Sequence, residues 1–209
     1  MRIRETLRRL GGLPFLGWAL AGLGLLALAV VLSGCGRPQS YVHPTVDLSY
    51  IGRVAVVPLK NLTQEKNTEF KVMNVVVTEL LRRGLEVVEY GEVSKVLQGE
   101  GHGREEGSIS KSVAENAGRR LGVQAFVTGA VHEYGFTQSG GNSYPEVTVS
   151  LKLIDAKSLA ILWEATHTVK GTTVLDRLLG IDKKSPSDLC QEVVEELFDS
   201  LFGSRRKGL

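Results

Sequence analysis

A strictly alternating stretch near the middle of the chain constrains its fold most. Residues 146–155 read EVTVSLKLID, with valine or leucine at every second position from Val147 to Leu153 and polar residues between them. Because successive side chains of a strand point to opposite faces, this pattern predicts a strand with one packed face and one face in water. The apolar face of such a sheet has to be covered by another layer, and helices are the simplest cover.

Periodicity and capping signals place the other elements. Predicted strands are Arg53–Pro58, Leu85–Glu89, Gln124–Thr137 and Ala160–Val169, and predicted helices are Thr68–Arg83, Glu92–Gln98, Ser110–Leu121 and one that begins at Ser185. Gly84 and Gly122 stand where helices often end on glycine, and Ser185, Pro186 and Asp188 form a helix start. The order predicts an α+β or α/β two-layer sandwich, a mixed sheet with helices covering one face.

Two of these helices have a predicted inward stripe. For Thr68–Arg83 the inward residues are predicted to be Phe70, Met73, Val77, Leu80 and Leu81. In the last helix Leu189, Val193, Leu197 and Leu201 recur every fourth residue, widened by Val194, Phe198 and Phe202. A stripe of this kind is typical of a helix that lies on a sheet.

The N-terminus has the three parts of an export signal. Four arginines among the first nine residues are followed by the apolar run LPFLGWALAGLGLLALAVVL and then by small residues. The run is also long enough to span a bilayer, so a plain signal peptide or an uncleaved anchor is an alternative. The run ends in Leu32, Ser33, Gly34 and Cys35, which resembles the bacterial lipobox. That resemblance implies that Cys35 carries diacylglyceryl and acyl (palmitate) lipid and becomes the first residue of the mature protein.

The chain therefore divides into a signal peptide (1–34), a lipidated flexible tether (35–50), one periplasmic domain (51–203) and a basic tail (204–209). Residues 36–50 show no helix or strand periodicity, which favours the tether. Its roughly 15–18 residues span at most about 50–65 Å. Gly36, rather than an aspartate, follows the cysteine, which favours the outer membrane, facing the periplasm.

Charge and cysteine content exclude several functions. The formal net charge is +2, and losing four arginines and one glutamate with the signal leaves about −1, so nothing suggests nucleic-acid binding. With Cys35 lipidated, Cys190 has no cysteine to pair with. We therefore expect no disulfide, no cysteine-based metal site and no cofactor besides the covalent lipid.

No catalytic motif is present either. The four histidines, His43, His102, His132 and His167, lack metal-binding spacing, although His132 and His167 fall on strands that could be neighbours. A two-histidine surface is conceivable there, but solvated or core-edge histidines are the simpler interpretation. The glycine-rich GEGHGREEG lacks the lysine of a phosphate-binding loop. The sequence predicts a protein that is not an enzyme.

Two stretches resemble the CsgG-like family of bacterial lipoproteins. They are Leu121–Ala130, LGVQAFVTGA, and residues 151–165, LKLIDAKSLAILWEA, in which Ser158-Leu159 replace the family's usual Thr-Gly. The likeness covers roughly Arg53–Leu201 and extends more distantly to the N-terminal domain of TolB and to the lipoprotein activator of a penicillin-binding protein. The segments 138–145 and 170–186 are too short for the family's membrane hairpins, so the resemblance implies a member without a pore.

The resemblance implies a non-catalytic envelope lipoprotein that assists the assembly or regulation of a secretion or surface apparatus. One alternative is an outer-membrane activator of peptidoglycan synthesis, which a short tether disfavours. Another is a ring-forming periplasmic scaffold. We expect an envelope protein or a second copy as partner. The candidate contact patch, within Gly171–Lys184, comprises Leu175, Leu178, Leu179 and Ile181; packing on the domain's own core is its simpler explanation.

Overall fold

The computed structural model describes residues 37–45, 47–100, 107–139, 142–171 and 184–205. The strands are β1 (Gln39–Val42), β2 (Arg53–Val56), β3 (Lys60–Asn61), β4 (Glu86–Val87), β5 (Ala125–Ser139), β6 (Asn142–Asp155) and β7 (Ile161–Lys170). The helices are α1 (Thr68–Arg82), α2 (Tyr90–Gly99), α3 (Lys111–Leu121) and α4 (Pro186–Arg205), with a short 3-10 turn at Leu48–Tyr50. The predicted signal peptide, Cys35 and most of Gly171–Lys184 lie outside the described residues.

The described strands form one mixed sheet in the order β1-β7-β6-β5-β2-β4, with β3 also beside β5. Strands β1, β7, β6 and β5 are antiparallel neighbours, whereas β2 pairs in parallel with both β4 and β5. The parallel pairs follow from the helical crossovers that join these strands. The predicted mixed sheet with packed helices is therefore confirmed.

The described helices cover both faces at one end of the sheet and a single face at the other. One core cluster joins α1 and α4 to β2, β5, β6 and β7, and includes Val54, Val127 and Leu151. A second, on the opposite face, joins α2 and α3 to Ala55, Val57 and Phe126. The expectation that helices cover only one face is wrong at the β2 end, because the run Val54–Val57 is apolar on both faces.

The last helix docks as its stripe predicts. Leu189, Val193, Val194, Leu197 and Phe198 are all fully buried, and Leu201 is 3% exposed. Its start is a capping box: the Ser185 backbone N–H donates to Asp188 Oδ2 over 2.9 Å, and the Asp188 N–H donates to Ser185 Oγ over 3.3 Å. The helix includes Ser204 and Arg205, the first two residues of the predicted basic tail.

The inward face of α1 differs from the prediction. Met73 and Leu80 are buried as expected, but Phe70 is 41% exposed and Leu81 is 53% exposed. Val72 and Val76 take the inward positions instead. The helix is apolar around much of its circumference, so several stripes fit its sequence equally well, and the packing partner selects one.

The predicted tether is also shorter than the sequence suggests. Residues Gln39–Val42 form β1, which pairs antiparallel with β7 from Gln39↔Thr166 to Val42↔Trp163, and Leu48 is buried in the core. An edge strand of four residues needs only backbone partners and no alternating pattern, so it leaves little trace in a sequence. Only residues 36–38 separate Cys35 from the sheet.

The turn between β6 and β7 contains Ser158-Leu159, where the CsgG-like pattern has Thr-Gly. Leu159 adopts a left-handed conformation, with φ of 59°. A glycine takes this conformation without steric cost, whereas a leucine costs roughly 1–2 kcal/mol. The Thr-Gly pattern is thus the relaxed form of the same turn.

Candidate functional site

The sheet has a polar surface that no described element covers, called here the open face, which bears Ser150, Lys152, Glu164 and Thr166. It is the surface of β5, β6 and β7 opposite α1 and α4, beyond the area that α2 and α3 cover. Ser150 and Lys152 alternate along β6 with the buried Val149 and Leu151. The wet face predicted from this strand is therefore present.

Strand register arranges the open face in transverse rows. One row runs Lys60, Ala130, Ser150, Thr166 and Gln39 across five strands, a second runs Thr128, Lys152, Glu164 and Tyr41, and a third runs Glu133, Thr148 and Thr168. Neighbouring strands lie about 4.8 Å apart, so the first row is roughly 19 Å long. These rows form the floor of a cleft of about 620 Å³.

A bulge in β5 places two chemically active side chains in this cleft. The register with β6 shifts between Val131 and Glu133, so His132 is the extra residue. His132 and Glu133, although adjacent in sequence, both line the cleft. Bulges often redirect a side chain in this way next to functional sites.

His132 lies beside a serine, which raises the question of catalysis. Its Nε2 is 2.8 Å from Ser150 Oγ, the distance expected of a nucleophile and its base. Such a pair also needs a third group to orient the imidazole, and no hydrogen bond from His132 to a carboxylate is found in the described part of the chain. The contact is a hydrogen bond between side chains of the neighbouring strands β5 and β6.

The two histidines that fall on neighbouring strands, His132 and His167, lie on opposite faces of the sheet. His167 is opposite Val149, whose side chain is in the core, and it pairs with Glu196 of α4 while only 8% exposed. His132 faces the cleft. A shared two-histidine surface is therefore excluded, and the described residues contain no group of acidic, histidine or cysteine side chains suited to a metal ion.

Lys60 forms one border of the cleft, where the backbone of Gly107 approaches closely. The Gly107 N–H donates to the carbonyl of Pro58 over 2.9 Å, and a Cβ added to Gly107 would lie 2.9 Å from the Cβ of Lys60. Gly107 also has a φ of +79°. Both the space and the conformation require glycine there.

The β5–β6 hairpin continues beyond the rest of the sheet. β6 pairs with β7 only from Glu146 onwards, so Phe136–Ser139 have β6 as their only strand neighbour in the described part of the chain. Phe136 is 68% exposed. The base of this arm is fixed, because the Gly171 N–H donates to the Pro145 carbonyl over 2.8 Å and Pro145 is buried.

Other residues singled out from the sequence are placed as follows. Leu32, Ser33, Gly34 and Cys35, and the patch Leu175, Leu178, Leu179 and Ile181, lie outside the described residues. Cys190 is 1% exposed in the core, and its burial raises the pKa of the thiol to about 12. Among the described helices, none has both the length and the apolar character that a membrane crossing requires.

The open-face cleft and the projecting arm were not found by sequence reasoning. The alternating pattern of β6 indicated a wet face, but the bulge that places His132 and Glu133 on it has no signal in the sequence. Phe136 is exposed because it lies on the part of β5 that extends beyond the pairing of β6 with β7. The sequence does not show where that pairing ends.

Comparison with known proteins adds a family and several structural neighbours. A family model described as "Peptidoglycan-synthase activator LpoB" matches residues 39–169. No curated protein sequence matches the chain. A lipoprotein structure from Neisseria meningitidis is 15% identical with a TM-score of 0.50, covering 75% of this chain and 99% of that one. At that identity the likeness concerns the fold alone.

Two further solved structures are similar. A PelC dodecamer from Paraburkholderia phytofirmans is 20% identical with a TM-score of 0.48, covering 78% of this chain and 98% of that one. The LpoB C-terminal domain from Escherichia coli is 16% identical with a TM-score of 0.44, covering 59% of this chain and 87% of that one.

Proposed function

Because the chain belongs to the peptidoglycan-synthase activator LpoB family, we propose that it is a non-catalytic activator of a peptidoglycan synthase. The observation that carries the proposal is the extent of the match, residues 39–169, which runs from β1 to β7. The activator acts by contact with the synthase, and the described residues offer no catalytic arrangement of their own.

The assignment to the CsgG-like family is wrong. The motifs Leu121–Ala130 and 151–165 fall within the range that the LpoB model matches. The first motif covers the end of α3 and the start of β5, and the second covers the β6–β7 hairpin. Such features can recur in families that share a sheet architecture. The distant likeness to a penicillin-binding-protein activator agrees with the match to the LpoB model. The secretion-accessory function gains no support.

The chain is proposed to work as a lipoprotein. Its lipobox-like Leu32–Cys35 supports a lipid on Cys35, and Gly36 supports the periplasmic side of the outer membrane. The short distance from Cys35 to β1 disfavours a long reach across the periplasm, so in this proposal the synthase approaches the anchored domain. The ring-forming alternative depends on Gly171–Lys184, which stays a prediction.

The projecting arm is proposed as the synthase contact. Phe136, at 68% exposed, has the largest exposed fraction among the large apolar residues that the structure describes, and the arm lies inside the matched range. Aromatic side chains, phenylalanine included, are enriched at protein interfaces relative to the rest of the surface. The fixed base at Pro145 and Gly171 holds the arm ready for contact, which lowers the ordering cost of binding.

The test is synthesis of glycan strands by the host's penicillin-binding synthase, with and without the full-length protein in detergent. We expect the protein to raise the synthesis rate and Phe136→Ala to weaken synthase binding by about tenfold or more. Leu81→Ala is the matched control, because Leu81 is also exposed, at 53%, but lies on α1. No stimulation by the unaltered protein would refute the function; equal binding by Phe136→Ala would refute the contact.

A further inference from the structure

The open face carries polar chemistry that the proposed contact with a synthase does not use. Of the residues lining the cleft, Thr148, Ser150 and Thr166 bear hydroxyls and His132 bears an imidazole. A hydroxyl both donates and accepts hydrogen bonds. The floor between them is the small side chain of Ala130, so a flat polar molecule can approach the sheet closely.

The charges of the cleft are of both signs. Lys60 and Glu133 are exposed, and no ion pair of either is found among the described residues, whereas Lys152 and Glu164 pair with each other over 3.1 Å. Lys60 lies in the row of Ser150 and Glu133 in the row of Thr148, two residues away on β6, so their backbone positions are roughly 7 Å apart along the strands. A ligand that matches them carries both a carboxylate and an ammonium group.

Two further residues share this face. Tyr41, 49% exposed, ends the second row on the edge strand β1 and offers an aromatic surface. Thr128 begins the same row but is only 1% exposed, so its neighbours cover it and it does not contribute to the accessible surface.

We propose that the open face binds peptidoglycan itself, with a glycan strand lying across the rows of β5, β6 and β7. Sugar hydroxyls pair with Thr148, Ser150 and Thr166, and a sugar ring packs on Tyr41. The carboxylate and ammonium groups of the attached peptide meet Lys60 and Glu133. This proposal rests on the proposed function, which places the protein beside the polymer that the synthase makes.

A protein partner fits this face less well. Protein interfaces depend on a few buried aromatic or apolar anchors surrounded by a polar rim. The described residues that line the cleft include no large apolar side chain, and Tyr41 lies beyond it. The hydroxyl rows and paired charges suit a hydrated polymer, and the apolar anchor Phe136 lies on the arm instead.

The experiment is co-sedimentation of the full-length protein, in detergent, with purified protein-free sacculi. We expect binding that weakens about tenfold or more in the double variant Lys60→Gln with Glu133→Gln, because charge-assisted hydrogen bonds are lost. The matched control is Lys95→Gln with Glu92→Gln, which removes one base and one acid from exposed positions of α2. A soluble disaccharide-pentapeptide should compete, and the same disaccharide without peptide should compete more weakly.

The outcomes separate this proposal from the proposed function, since sedimentation needs no synthase. Binding of sacculi without any synthase stimulation would support the open-face site and refute the activator function. No binding by the unaltered protein, or equal binding by the cleft variant, would overturn the site. Unchanged sacculus binding together with lost synthase stimulation in the cleft variant would assign the face to the synthase and overturn the proposal as well.

Discussion

At the scale of single residues, Asp155 fixes the turn between the two strands that carry the open face. Its Oδ1 accepts hydrogen bonds from the backbone N–H groups of Lys157 and Ser158, at 3.1 and 2.7 Å, and from the Ser158 hydroxyl. Its Oδ2 accepts from the Tyr50 hydroxyl at 2.8 Å. Burial alone would raise the pKa of Asp155, but these hydrogen bonds outweigh burial and lower it. Burial, followed by this hydrogen bond to Asp155, raises the pKa of Tyr50 to about 12.

The depressed pKa predicts a loss of stability in acid. A carboxyl with a lowered folded-state pKa contributes stability above its unfolded pKa of about 3.9, and this contribution disappears as the pH falls through the folded value. We expect Asp155→Asn to lower the free energy of unfolding by about 1–2 kcal/mol at pH 7 and by less at pH 3, which lies below the unfolded pKa. Urea titrations at the two pH values measure the difference.

Tyr50→Phe provides the comparison for Asp155. It removes one of the four hydrogen bonds and leaves the turn itself intact, so its cost should be at most about 1 kcal/mol. A difference between wild type and Asp155→Asn that stays the same from pH 7 to pH 3 would show that the charge of Asp155 contributes nothing.

At the scale of elements, α4 supplies a large share of the main core, and its removal should be costly. Leu197 is fully buried and Leu201 is 3% exposed. Changing both to alanine should lower the free energy of unfolding by about 4–10 kcal/mol, because each buried leucine typically contributes 2–5. Chemical denaturation monitored by circular dichroism gives this value.

Leu81→Ala is the control for α4. Leu81 is 53% exposed on α1, and surface substitutions of this kind usually change stability by no more than about 0.5 kcal/mol. A cost below about 1 kcal/mol for the α4 double variant would contradict the packing of that helix.

The elements also show what the sequence could and could not predict. Helices α2, α3 and α4 were found because caps and periodicity agree, as at Ser185 and Asp188. Strands β1 and β3 were missed because short strands at a sheet edge are held by backbone hydrogen bonds and need no pattern. The inward face of α1 was wrong at Phe70 and Leu81 because only the packing partner distinguishes its apolar stripes.

The site was harder to predict than the fold. Alternation in β6 indicated the open face, but the face of each β5 residue depends on the bulge at His132. One inserted residue changes which side chains share a surface, and this is a property of the pairing with β6. A surface shared by His132 and His167 was only an alternative to solvated or core-edge histidines, and the sheet places the two side chains on opposite faces.

At the scale of the whole molecule, the first question is how the chain is anchored. If Cys35 carries the lipid, the mature protein lacks residues 1–34, and its intact mass from the membrane fraction should equal that of residues 35–209 plus the diacylglyceryl and acyl groups. Cys35→Ala should keep its N-terminal residues, since the lipobox cysteine is the modified residue. An unmodified Cys35 in the membrane-bound protein would contradict lipidation.

The shortness of β1 gives the molecule an adjustable reach. While β1 stays paired with β7, only residues 36–38 link Cys35 to the sheet, and they extend at most about 11 Å. If tension on the anchor peeled these four pairs apart, the link would grow to residues 36–47 and extend to about 43 Å. The core residues of α1 and α4 would remain packed throughout, because the peeled strand buries little. The pairing of β1 with β7 therefore keeps the domain close to its lipid anchor until the force on the anchor separates the two strands. Once they separate, the longer link sets how far the domain can move from the lipid.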